Sequence, residues 1–309
     1  MIVAAGLTPA WQQIASFERF EPGEVNRAVS VEWCASGKVS NVAIALKHLG
    51  ASVDMVALVG GPHGRSIEAE FSRLGISARW VEARHPTRVC TTILDRASGH
   101  TTELVENAGP VVAEELERFE AAYSASVANA EMAILAGSLP SGTPQDFCST
   151  LLAHTSCPAI LDVRGPELLA ALAHRPLLVK PNREELAKTA GRSLASDDAL
   201  LSAMRELNDR GAEWVVITQG TDAVWAASAG KAYCLHPPLM TVVNPIASGD
   251  SMAAGVAWAL TNGRAMLEAL RIGIAAASEN VTQLLPARLD PQRVLATAER
   301  VKVTMIATA

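Results

Sequence analysis

The chain has 309 residues, 26 of them basic and 32 acidic, for a formal net charge of -6, with 49% apolar, 19% charged and 4% aromatic residues. That length suits two ordinary domains or one large α/β unit, and the apolar content can bury a core without help from disulfides or metals. The acidic balance leaves no footprint for polyanions and the few aromatics leave no base-stacking platform, so no nucleic-acid partner is expected.

The first apolar run, Ile2 to Ala5, is too short for a signal peptide and has no basic flank. It reads as a strand. Further strand candidates are Val53 to Val59, Met132 to Leu135, Ala159 to Leu161, Leu177 to Val179 and Trp214 to Ile217. Between them, Asn41 to Leu49, Ser66 to Leu74, Pro144 to His154, Glu167 to Ala173, Arg183 to Ala190 and Asp197 to Asp209 space their apolar residues as helices do. The alternation predicts an α/β fold with a parallel sheet covered on both faces.

Two stretches break this rhythm, about Thr8 to Cys34 and Thr87 to Glu106, where polar and apolar residues alternate. The second is split by the turn-like Ala97-Ser98-Gly99-His100 and predicts a hairpin. With no linker between the pieces, they predict one small accessory sheet inserted in a single core. The apolar run Met252 to Leu260 is too short to span a bilayer. Five scattered cysteines form no CxxC pair, so neither a disulfide framework nor a thiolate zinc site is indicated. A reducing, cytoplasmic setting without a membrane partner is expected.

In open α/β sheets, ligands bind beyond the carboxyl ends of the strands. Those ends carry Gly137-Ser138, Asp162, Lys180-Pro181-Asn182 and Thr218-Gln219-Gly220. The sharpest local feature is Asn244-Pro245-Ile246-Ala247-Ser248-Gly249-Asp250-Ser251, which leads into a helical stretch. Small residues and the free amides of a first helical turn suit a phosphate there. Asp250 would repel that phosphate but can take a proton from a hydroxyl attacking it. Ser248 or Asp250 also suits a plain helix cap, and Asn182 with Glu185 a capping box.

In these residues the chain resembles the ribokinase-like (PfkB) sugar kinases over nearly its whole length. Asn244 to Ser251 is similar to the family's C-terminal signature, with Ala247 and Ser248 in place of its Gly-Ala. Ala35 to Ala43 is similar to the N-terminal signature, and Val59-Gly60-Gly61 through Gly64 and Lys180 to Leu186 match two elements between them. Gly23 to Arg27, Gly37-Lys38, Thr87-Arg88, Thr102-Glu103 with Gly109-Pro110, and Gly137-Ser138-Leu139-Pro140 resemble the phosphosugar branch that includes 1-phosphofructokinase and tagatose-6-phosphate kinase.

The resemblance implies a three-layer αβα core with a mostly parallel central sheet and a small β-sheet lid, formed by about 8–34 and 87–107. It implies ATP and Mg²⁺ as cofactors. Asp250 would be the base, with the amides of Ala247, Ser248 and Gly249 as the anion hole. Asn182, Glu185, Thr218, Gly220 and Asn280 would serve ATP, with Glu185 holding Mg²⁺ through water. Gln12, Arg27, Gly37, Lys38, Asn41, Arg88 and Ser138 would serve the sugar, Lys38 and Arg88 as cations for its phosphate. A homodimer through the lid is also implied, with Val29, Val31, Trp33, Val89 and Ile93 as the exposed apolar face.

The departures cluster at the acceptor. Thr8-Pro9-Ala10-Trp11-Gln12 stands where this branch has Asn-Pro-x-x-Asp, Ser36 replaces a glycine, and Val39-Ser40 replaces Gly-Ile. The expected activity is phosphorylation of the primary hydroxyl of fructose 1-phosphate, fructose 6-phosphate or tagatose 6-phosphate. Two alternatives stay open: a kinase of another, unphosphorylated sugar, or a weakly active sugar-phosphate-binding regulator on the same fold. No GxSxG, strand-borne GxGxxG or HxxxH supports a hydrolase, a dehydrogenase or a histidine metal centre.

Overall fold

A computed structural model describes residues 1–306. Its first half runs β1 (Ile2–Gly6), β2 (Ala10–Phe17), β3 (Ser30–Ser36), α1 (Lys38–His48), β4 (Val53–Val59), α2 (Gly61–Leu74), β5 (Ser77–Glu82), β6 (Arg88–Asp95), β7 (Thr101–Val105), α3 (Ala113–Val127) and β8 (Met132–Ala136). Next come α4 (Phe147–Ala153), β9 (Ala159–Asp162), α5 (Gly165–Ala171), β10 (Leu178–Val179), α6 (Arg183–Ala190), α7 (Asp197–Asp209) and β11 (Trp214–Ile217). The chain then closes with β12 (Val224–Ser228), β13 (Lys231–His236), α8 (Ser248–Thr261), α9 (Met266–Asn280), α10 (Pro291–Ala298) and β14 (Lys302–Ile306).

The large sheet has the order β14-β13-β12-β11-β10-β9-β8-β1-β4-β5. From β5 to β11 neighbouring strands are parallel, while β12, β13 and β14 extend the sheet as an antiparallel meander. Helices cover both faces, so the central strands are buried on both sides and read as unbroken apolar runs rather than as alternation. One core layer lies under α1, α2, α8 and α9, and the other under α3, α4 and α7. Among the described residues no helix is long and apolar enough to cross a membrane.

A second sheet has the order β3-β2-β6-β7, with β2 and β6 parallel and the outer pairs antiparallel. The hairpin expected around Ala97 to His100 is β6–β7, its turn held by Asp95, which accepts from the Ala97 amide and the Ser98 hydroxyl. One face of this sheet rests Ile14, Cys34 and Leu94 on Leu284 and Leu285. The other leaves Val29, Val31 and Trp33 exposed, with Trp33 stacked on Trp11. Ile93, expected on that exposed face, is instead buried among Ala15, Phe17 and Phe20.

Candidate active site

The carboxyl ends of β8 to β11, the starts of α1 and α8, and the inner face of the second sheet enclose one cleft of about 560 Å³. Local chemistry fixes each wall. Gly37, the cap residue of α1, has φ +83°, and a Cβ there would lie 2.8 Å from the Thr8 carbonyl, so the turn presenting Lys38 and Asn41 needs glycine. Asn182 caps α6: its side chain accepts from the Glu185 amide at 2.7 Å, while Glu185 Oε2 accepts from the Asn182 amide at 3.0 Å. The capping box holds Asn182 and Glu185 at the cleft, so cap and site are one arrangement.

Ala247 caps α8 in the left-handed region, φ 68° and ψ 11°, a conformation that strains an L residue. It sets the first turn of α8 at the cleft, where the Ser248 amide donates to the Pro245 carbonyl at 3.4 Å and an anion meets the free amides of Gly249 and Asp250 and the positive end of the helix dipole. Asp250 is buried and accepts from Asn41 Nδ2 at 2.7 Å. Burial, with the nearby Asp162 charge adding to it and Lys38 opposing it, raises its carboxyl from 3.8 to about 6. A carboxylate poised there takes up a proton near neutrality. Asn41 Oδ1 is buried without a partner beside it, a free acceptor for a ligand hydroxyl.

Asp162, at the end of β9, gathers two lysines: Lys38 Nζ donates to its Oδ1 at 2.7 Å, and Lys180 Nζ lies 2.9 Å from its Oδ2. Burial alone would raise the Asp162 carboxyl, but Lys180 and Lys38 hold it well below the usual range. Lys38 also lies 3.7 Å from Glu185 Oε1. Arg88 belongs to the opposite wall. Its Nη1 donates to the Glu106 carbonyl at 3.1 Å and its Nη2 to the Thr8 carbonyl at 3.2 Å, and its Nε is buried without a partner. The arrangement offers a base, a helix-end anion seat and cations on two sides of one cleft. That is the equipment of phosphoryl transfer to a hydroxyl.

A family model described as pfkB family carbohydrate kinase matches residues 2–292. The chain belongs to that family. As a pfkB carbohydrate kinase it is a phosphotransferase with an alcohol acceptor, and kinases of this family use ATP as the phosphate donor. Its fold is similar to that of a possible 1-phosphofructokinase from Thermotoga maritima, at 19% identity over 99% of this chain and 100% of that one, with a TM-score of 0.91. It is also similar to phosphofructokinase-2 from Escherichia coli in complex with substrates and products, at 25% identity over 96% and 98% of the two chains, with a TM-score of 0.87. The tetrameric inhibited form of that Escherichia coli enzyme matches at 24% identity over 97% and 98%, TM-score 0.87.

The kinase brings all the site residues expected from its sequence to the cleft except Arg27 and Asn280. Arg27 is exposed on the segment between β2 and β3 and does not line the cleft. Asn280 is fully buried and used up inside the chain: its Nδ2 donates to the Ile246 carbonyl at 2.7 Å, and its Oδ1 accepts from the Ser251 hydroxyl and the Ala287 amide. It braces the loop before α8 and does not line the cleft. Gln12 lines the cleft with its amide already donating to Thr92 Oγ1 at 2.7 Å. Ser138 sits at the rim, its carbonyl accepting from the Thr8 hydroxyl. Asp162, Lys180 and Glu103 also line the cleft, without a role assigned to them from the sequence. The available signal for the first two was their place directly after apolar strands.

Proposed function

We propose that this kinase phosphorylates the primary hydroxyl of a phosphorylated ketohexose, fructose 1-phosphate, fructose 6-phosphate or tagatose 6-phosphate, to a bisphosphate. The observation that carries the reading is Arg88, a guanidinium fixed by two carbonyls with a buried Nε still free, on the wall facing Asp250. A free sugar gives such a group nothing to neutralise, whereas a sugar phosphate does.

The acceptor's hydroxyl would lie between Asn41 Oδ1 and Asp250. Asp250 takes its proton as the oxygen bonds to the γ-phosphorus and the bond to the β-phosphate oxygen breaks, releasing ADP. The amides at the start of α8 hold the charge on the transferred group. Lys180 and Lys38, anchored on Asp162, stand beside it, so a phosphate arriving there meets cations already held in place. The second sheet serves as a lid that excludes water from the transfer.

Among the described residues no cluster of three His, Cys, Asp or Glu forms a metal cage. Magnesium commonly binds through one or two carboxylates plus the nucleotide's phosphates. Glu185 fits that pattern: its Oε2 is used in the cap, and its Oε1 is at the cleft between Lys38 and Arg164. Glu185 would hold the ion through water, and the ion would supply charge neutralisation on the phosphates.

Glu103 favours a second reading, an unphosphorylated sugar. It lines the cleft on the same wall as Arg88, and burial raises its carboxyl against the pull of Arg88. A carboxylate there would accept sugar hydroxyls and repel a phosphate. ADP release over the three ketohexose phosphates and their free sugars separates the two. With a phosphosugar, Arg88→Ala should raise KM by about 10- to 100-fold, the loss of one charge-assisted contact, and change KM for a free sugar little. Equal effects on both would sink the phosphosugar reading. Binding of a sugar phosphate without turnover would instead favour a regulatory role.

A further inference from the structure

We infer that Arg164 is a donor-binding residue of this kinase, whose guanidinium exchanges its contact with Glu185 for the polyphosphate of ATP. The inference rests on the nucleotide reading of the cleft. Arg164 stands two residues after Asp162, in the short connection from β9 to α5, and lines the cleft. That connection is anchored. The Gly165 amide donates to Thr189 Oγ1 at 3.0 Å, and the Thr189 hydroxyl donates to the Glu185 carbonyl at 2.7 Å, so one side chain ties the backbone beside Arg164 to the helix that carries Glu185.

Charge indicates what Arg164 is for. The wall made by the strand ends, α1, α6 and α8 holds three carboxylates, Asp162, Glu185 and Asp250, against three cations, Lys38, Lys180 and Arg164. Without Arg164 that wall would carry a net negative charge and repel a triphosphate. The two lysines are already matched, since both lie within 3 Å of Asp162 and Lys38 also lies 3.7 Å from Glu185. Arg164 is not. Among the described residues its one charge contact is Nη1 to Glu185 Oε1 at 3.6 Å, and its guanidinium makes no hydrogen bond. Its side chain is 60% exposed, so giving up that contact costs little. The planar guanidinium then offers five donors in a fork that matches phosphate oxygens.

The other arginines nearby are committed. Arg183, next to Asn182, is spent inside the chain, its Nε donating to the Leu194 carbonyl at 2.7 Å and its Nη2 to the Ala195 carbonyl at 3.0 Å. Arg88 is held on the lid wall by the Thr8 and Glu106 carbonyls.

The test is the dissociation constant of ATP in magnesium chloride, by calorimetry on the full-length protein without acceptor, together with the KM of the acceptor sugar at saturating ATP. Arg164→Ala should weaken ATP by about 10- to 100-fold, the loss of one charge-assisted contact, and change the acceptor KM by less than about threefold. Arg164→Lys should fall between, because a point charge keeps the attraction and loses the fork. A merely structural role would not divide the two ligands in this way, and an unchanged thermal midpoint shows that the fold is kept. ATP affinity within about threefold of wild type would overturn the inference and leave Arg164 a solvated surface charge. A raised acceptor KM with ATP unchanged would also overturn it, and would assign Arg164 to the sugar. Gly249→Asp, in a variant that keeps its thermal midpoint, separates these failures from failure of the nucleotide reading. It sets a carboxylate on the first turn of α8, where a Cβ would lie 3.2 Å from Lys180 Nζ. If ATP binds that variant as well as wild type, the polyphosphate lies elsewhere and the reading falls with the inference. If ATP weakens there but not in Arg164→Ala, the inference alone falls.

Discussion

Asp250 decides whether the cleft works, and its burial gives it a pH signature. In the folded chain its carboxyl is raised from 3.8 to about 6, so the fold favours the protonated form. The stability this contributes is complete below about 3.8 and is lost as pH rises through about 6, which leaves the ionised side chain as a net cost at pH 7. The base form is the ionised one, so kcat/KM should climb with an acid limb near pH 6. Asp250→Asn should cut kcat by about 10²- to 10⁴-fold while raising the thermal midpoint, and a variant that kept its rate would remove the proposed base. Ala247 costs stability through its backbone, and of the four described non-glycine residues at positive φ it is the one that lines the cleft. At φ 68° it pays the strain that glycine avoids, so Ala247→Gly should stabilise the protein by about 1 kcal/mol in urea unfolding, with an unchanged slope.

Elements meet where Asp162 joins the ends of β9 and β10 to the start of α1 through Lys180 and Lys38. Asp162 helps to raise the Asp250 carboxyl, and both lysines pull it down. Asp162→Asn should therefore move the acid limb of kcat/KM to lower pH, while leaving the buried Lys180 without its carboxylate at a stability cost of about 3–5 kcal/mol; Lys38 is half-buried and keeps Glu185 nearby. A limb that moved upward would contradict this electrostatic account. At this scale the sequence was most legible where period and cap agreed: β4, β11, α6 and α7 fall where their patterns put them, and Asn182 and Ser196 mark the starts of the two helices. It was least legible where packing replaces pattern. In α8 and α9 small apolar residues occur nearly all round, because a Cβ on Gly255 would lie 3.0 Å from Gly273, so close approach removes the amphipathic period that marks a surface helix. The strands β12 to β14 escaped notice for a related reason: they lie towards one edge of the sheet, where β13 mixes exposed and buried residues without alternation and β14 is exposed along nearly all its length. The site residues after strands were visible as a set, but which of them pair could not be read. Lys38 looked like a free cation for a sugar phosphate, and only the fold brings Asp162 to it across 124 positions.

Across the whole molecule, the second sheet leaves Val31 and Trp33 exposed on the face turned away from Leu284 and Leu285. We propose that the homodimer implied by the family resemblance covers them. Trp33→Glu should then convert a dimer into a monomer by sedimentation, whereas a wild-type chain that sediments as a monomer would exclude the pairing. The hydrogen bond from Asn41 to Asp250 bears on how such a chain comes to be active at all. Its partners are separated by 209 positions, so the base has no orienting amide until most of the polypeptide has been made and folded. A fragment that ends before Asp250 therefore holds Asn41 without the base it orients and should transfer no phosphoryl group.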